Sequence, residues 1–176
     1  MFVDYTLVFS AAQAITSTAP STNVIDLTGA GVGNPPGVTY GTASVYGADM
    51  GVGDGMAVPK ISVGISTLFV GAGASLTVSA QFAVDNANSP GAWQTYAETG
   101  AIPVAALVAG ASIGTFDLPR VPQGNITQYP LPRFVRLNYT VGSGPFSAGA
   151  VNSQIVLQQD SQLGGINYPS NFSAGA

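Results

Sequence analysis

The chain contains neither cysteine nor histidine. The first absence excludes disulfides, thiol nucleophiles and thiolate metal sites. The second removes the usual general base near neutral pH and the commonest metal ligand. Charge is scarce as well: 7% of the residues are charged, against about 25% in an ordinary soluble domain. Four cations, Lys60, Arg120, Arg133 and Arg136, stand against eight acids for a net charge of -4. So few cations cannot neutralise a run of phosphates, and no nucleic acid is expected as a partner. Glu98 is the sole glutamate, so the acid pair of a glycosidase would have to come from scattered Asp residues, and none of them forms an evident pair. Long apolar runs are missing too. Ala101 to Gly114 falls short of the roughly 20 residues a membrane span needs and is interrupted by Pro103. Met1 to Ala19 has no basic start and is broken by Asp4, Ser10, Gln13 and Thr16, which predicts no export signal and no membrane partner.

What the chain has instead is 46% hydrophobic residues, 23 glycines and a supply of Ser, Thr, Asn and Gln. Such a surface binds water and partners through hydrogen bonds and repels neighbours only weakly, which suits a permanent assembly. The 176 residues fit a single domain over 1–176. Period-two alternation dominates. Leu76, Val78, Ala80, Phe82 and Val84 share one face of a strand, with Thr77, Ser79, Gln81 and Ala83 on the other. Val135, Leu137, Tyr139 and Val141 alternate with Arg136, Asn138 and Thr140, which points Arg136 away from the core. Val151, Ser153, Ile155 and Leu157 form a third such face, and the Gly142 to Pro145 loop predicts a hairpin between the second and third strands. Weaker strands are expected at Phe2 to Phe9, Asn23 to Leu27, Ile61 to Leu68, Trp93 to Ala97, Val104 to Val108 and Ser112 to Leu118, with a helical turn at Ala11 to Ala14. The fold class this predicts is all-β with little helix: an antiparallel β-sandwich, with a jelly roll of about eight strands as one arrangement. Gly- and Pro-rich stretches predict long loops at 29–58 and 119–132, and an extended C-terminal arm at 161–176.

No motif carries a cofactor or a metal. Glycines 29, 31 and 33 lack the strand, helix and βαβ unit of a dinucleotide site, and Lys60 follows Pro59, not glycine. Asp49 and Asp54 have neither EF-hand nor calcium-roll spacing and are expected in turns. Asn125, Asn138 and Asn171 lie in glycosylation sequons of a kind that arises by chance. Trp93 and Tyr96 could line a sugar groove, but filling a core poor in Leu and Ile is the expected role. Phe146, Tyr168 and Phe172 lie in Gly- and Ser-rich segments and are expected to be exposed, hence interface residues. Phe2, Tyr5 and Phe9 could enter the core, pair with a neighbouring sheet edge or lie on a partner, and join them as interface candidates.

Four stretches resemble the capsid cement, or decoration, protein family typified by the Bordetella phage cement protein. They are AQAITSTAPSTNVIDL from Ala12, AIPVAALVAG from Ala101, RFVRLNYTVGSGPFSAG from Arg133 and the pair Tyr168-Pro169. The third, a strand ending in Tyr-Thr-Val before a Gly-Pro-Phe turn, is the most specific. The resemblance implies a jelly-roll protein made in the bacterial host cytoplasm and displayed in many copies on the outer face of an icosahedral head. There it would bridge major capsid proteins, its partners, without catalysis; copies of itself, as a homodimer or homotrimer, are further partners compatible with such a lattice. The glycine-rich run Gly29 to Gly55 is longer than the family pattern, and no contact residue is carried over. The alternative is a carbohydrate- or receptor-binding β-sandwich of a phage tail fibre, with Trp93 and Tyr96 as its platform.

Overall fold

A computed structural model describes residues 7–27, 38–40, 43–47, 59–87, 89–118 and 132–157. Thirteen strands run through them: β1 (Val8–Ala14), β2 (Ala19–Pro20), β3 (Asn23–Asp26), β4 (Val38–Tyr40), β5 (Ala43–Gly47), β6 (Pro59–Val70), β7 (Ser75–Asn86), β8 (Ser89–Pro90), β9 (Gln94–Glu98), β10 (Ile102–Pro103), β11 (Ser112–Asp117), β12 (Pro132–Gly142) and β13 (Ala148–Leu157). They form a four-stranded sheet in the order β1-β13-β6-β11 and a larger one in the order β10-β7-β12-β3-β5-β4, with β2 beside β12 and β8 and β9 beside β7. The protein is a β-sandwich, antiparallel throughout except for the parallel pair β3 and β5.

The long strands explain themselves by alternation. In β6, Ile61, Val63 and Ile65 are buried while Ser62, Gly64 and Ser66 are not. β-branched residues at every second position fit a pleated strand with one wet face. β7 and β12 pair from Val84↔Pro132 to Ser75↔Gly142 and turn Leu76, Val78, Ala80, Val135, Leu137 and Tyr139 inward as the alternation predicts. Arg136 points outward. Among the described residues the largest fully buried side chains are Tyr139, Phe9 and Phe134 together with Ile15, Ile25, Ile61, Leu76, Leu107 and Leu137, so the interior is less poor in Leu and Ile than expected.

The hairpin expected at Gly142 to Pro145 is not formed. β12 pairs with β7 in one sheet, and β13 pairs with β6 in the other. The chain between them therefore crosses from sheet to sheet, as does the chain between β6 and β7. These are two stacked arches, and each strand faces its sequence neighbour across the core. The reason is local. Pro145 has no N–H to give a ladder, Ser143, Gly144 and Gly149 hold positive φ, and Phe146 turns inward, its N–H donating to Thr16 O at 3.2 Å. Two apolar faces then meet, whereas a flat hairpin would leave one of them wet.

Other expectations change for similarly local reasons. Ala11 to Ala14 is not a helical turn but part of β1, which bulges between Ser10 and Gln13 with Ala12 at φ 48. Val104 to Val108 is not a strand. Pro103 opens a 3-10 turn over Val104–Ala106, and this turn seats Leu107 in the core. Within the loop expected at 29–58, β4 and β5 form a hairpin through Tyr40↔Ala43. Leu157 closes β13 opposite Pro59, and the arm expected at 161–176 lies outside the described residues, as does nearly all of 119–132.

Candidate interaction surfaces

Adjacent residues on a strand face opposite ways. Val24, Ala83 and Phe134 are neighbours in sequence of inward-facing residues, and they form a second buried cluster on the outer face of the larger sheet, packed by Trp93. Cations cover this ledge. The Arg136 guanidinium lies 4.2 Å from the Trp93 ring centroid, while its Nε donates to Gln81 Oε1 at 2.9 Å. Gln81 Nε2 donates in turn to Thr95 Oγ1 at 3.2 Å. Arg133 sits 4.9 Å over Phe134. Its Nε donates to both oxygens of Asp26 at 3.2 Å, its Nη2 donates to Asp26 Oδ2 at 3.0 Å, and its Nη1 lies 2.9 Å from Asp85 Oδ1. The bond to Asp26 holds the Arg133 pKa above its ordinary value, against a smaller opposing effect of burial, with the Asp85 charge adding to the rise. An Arg fork on a carboxylate is geometrically specific and stronger than a neutral bond. Two of the four cations of the chain thus lock β3, β7 and β12 together.

A second polar group lies inside the sandwich. Tyr139 Oη on β12 is 2.8 Å from Ser10 Oγ on β1 and 2.8 Å from Ser153 Oγ on β13, and Ser10 Oγ donates to Gln13 Oε1 at 2.7 Å. Burial pushes the Tyr139 hydroxyl up to about 12, against the opposing effect of the two serine bonds. One phenol therefore joins both sheets through satisfied hydrogen bonds, which specifies how they are docked.

Trp93 and Tyr96 do not share a surface. Trp93 belongs to the outer ledge, whereas Tyr96 packs against the main core, beside Phe82 at 6.1 Å, and donates its hydroxyl to Asp117 O at 2.9 Å. Burial, with the Asp117 charge second, raises the Tyr96 pKa well above the usual phenol value. Core filling describes Tyr96; Trp93 covers a separate cluster. Lys60 pairs with Asp117 at 3.2 Å across β6 and β11.

Of the six interface candidates, Phe9 and Phe146 are corrected: they are 0% and 2% exposed and belong to the main core. Phe146 is covered because its Gly-rich connection crosses between the sheets, which puts the ring edge-on to Phe69 with centroids 4.8 Å apart. Phe2, Tyr5, Tyr168 and Phe172 lie outside the described residues, as do Asp49 and Asp54. Among the described residues the exposed large apolar side chains are Leu68, Val70 and Val108, each close to half exposed. Sequence reasoning missed them because Leu68 and Val108 end expected strands and Val70 lies just beyond one, where spacing says nothing about exposure. Among the described residues, no group of three or more acidic side chains could hold a metal.

Arg133, Arg136, Tyr139 and Lys60 thus each join strands that are distant in sequence. The family model Bbp16 matches residues 9–155, and the chain belongs to this family of Bordetella phage proteins. No curated protein matches the chain.

Proposed function

We propose that the protein is a capsid cement protein. It binds the outer surface of the icosahedral phage head, bridges neighbouring major capsid proteins and stabilises the mature shell without catalysing a reaction. The observation that carries this reading is the Bbp16 family match, which spans the sandwich from β1 into β13. It joins the resemblance of the Arg133 to Gly149 stretch to the cement family. The fold adds support. Tyr139 and the Arg133–Asp26 fork cross-link strands distant in sequence, so the body is preorganised and little freedom is lost on binding.

Stabilisation by mass action requires that each copy bind the assembled lattice better than free or precursor subunits. With so few charges, contacts to the shell are apolar and backbone contacts that salt screens little. Copies of the chain and the major capsid protein are the partners, and the virion surface is the location. The tail-fibre reading is less favoured, because Trp93 is stacked under Arg136 and Tyr96 faces the core, so the two form no glycan platform.

The test is co-sedimentation of the purified protein with heads lacking it, across a range of salt, followed by thermal melting of the heads. Saturable binding at fixed copy number and a higher melting temperature are expected. Absence of binding, or unchanged head melting, overturns the proposal.

A further inference from the structure

The sandwich has two unlike ends. The arches between β6 and β7 and between β12 and β13, the turn after β1 and the 3-10 turn after β10 all gather at one end, tied by Phe146 N–H to Thr16 O, Ser147 N–H to Val70 O, Phe69 N–H to Leu107 O and Val104 N–H to Ala74 O. Residues 15–20, 67–76, 101–112 and 140–149, which build this end, include no Asp, Glu, Lys or Arg. The charged residues among those described are Asp26, Lys60, Asp85, Glu98, Asp117, Arg133 and Arg136. They lie toward the other end or midway, Glu98 coming nearest to the arches, opposite Ser79. The exposed large apolar side chains Leu68, Val70 and Val108 all fall at the arch end, beside exposed Ala72, Ala106 and Pro145.

We infer that the arch end is the face seated on the capsid shell, against an uncharged patch with an apolar centre; this rests on the cement reading above. Charges are depleted at the cores of protein interfaces because each must be stripped of water, and the residues described at the arch end carry none to strip. Its exposed side chains are also held by well-packed turns. Phe69 and Phe146 meet edge to face beneath them, and a Cβ on Gly71 would meet Phe146 at 3.0 Å, so the surface needs little ordering on contact. Matching partner chemistry follows from the same argument: a charged patch on the shell would lose its hydration here without gaining a counter-charge. Charge gathered at the other end keeps the outward half of each copy hydrated and keeps particles apart.

The test compares wild type with Leu68→Asp/Val108→Asp for binding to heads lacking the protein, with Gln94→Asp as a control at an exposed position in the charged half. Binding at least tenfold weaker for the arch-end variant, with the control at wild-type affinity and both proteins folded by circular dichroism, is the expected result. Should the double variant unfold, Val108→Glu alone serves, because Val108 lies outside every strand ladder. If wild type binds and the arch-end variant binds equally well, the inference fails and the cement reading stands. If the variant keeps head binding but loses self-association in sedimentation, the face belongs to a second copy and the inference fails. If wild type does not bind, both fall.

Discussion

Phe69 and Phe146 meet edge to face with ring centroids 4.8 Å apart and an interplanar angle of 75°, joining the end of β6 to the connection that leads into β13. Each ring comes from a different arch, so the contact closes the sandwich end that neither arch could close alone. Edge-to-face pairs add about 0.5–1.5 kcal/mol beyond their area burial. Phe146→Ala is therefore expected to cost about 3–5 kcal/mol in urea unfolding, and Phe146→Leu distinctly less. A loss under about 1 kcal/mol for the alanine variant would mean that Phe146 does not bear on the core.

Gly149 lies against the face of the Phe69 ring at φ 144, and a Cβ placed there overlaps the ring carbons. Gly149→Ala should destabilise by about 1–3 kcal/mol or more, because the ring must move and the backbone is held where L-residues are strained. Combining it with Phe69→Leu should recover part of the loss. Simple additivity of the two changes in a double-mutant cycle would argue against the overlap.

The Tyr139 hydroxyl makes stability depend on alkaline pH. Its pKa is about 12 in the folded protein against 10.0 when free. Folding therefore favours the protonated phenol: the stabilisation is complete below pH 10 and is lost as the pH rises toward the folded value. Tyr96 shifts in the same direction. Unfolding midpoints are expected to fall as the pH rises above 10, and Tyr139→Phe should make that fall shallower. At neutral pH the same variant leaves the buried Ser10 and Ser153 hydroxyls with a lost partner, costing about 1–3 kcal/mol. An unchanged alkaline slope would contradict the assignment.

Asp26 is almost fully buried against Arg133. Removing one partner of a buried pair costs about 3–5 kcal/mol, but Arg133 is about one-fifth exposed and also meets Asp85. Asp26→Ala is thus expected to cost about 2–3 kcal/mol in chemical unfolding, below the fully buried figure. The loss should change little with salt, since a pair this close and this buried is poorly screened.

Trp93 is the sole tryptophan and reports on the outer ledge directly. Arg136→Ala uncovers its ring and should shift its fluorescence emission to longer wavelength. The cost in stability should be small, about 0.5–1 kcal/mol for a cation–π contact at a partly exposed site. An unshifted emission maximum would show that the guanidinium does not cover the ring in solution.

Alternation alone identified the faces of the long strands. Leu76, Val78, Ala80, Val135, Leu137 and Tyr139 turn inward as their spacing predicts, since period two leaves one face for the core whatever the partner strand. The same spacing put Arg136 outside. The six interface candidates were less legible. Phe146 reads as exposed because its neighbours are Gly, Ser and Pro, and nothing in that composition tells a turn within one sheet from an arch between two.

Residue types and the spacing along single strands make this an all-β protein with a period-two core and without cysteine or histidine chemistry. That β12 and β13 lie in opposite sheets, that Asp26 meets Arg133, that Tyr139 bonds Ser10 and Ser153, and that the uncharged turns collect at one end emerge from the folded chain. Each of these depends on which strands pair across long stretches of chain. Long-range pairing is settled by the joint burial of both sheets and not by any local propensity.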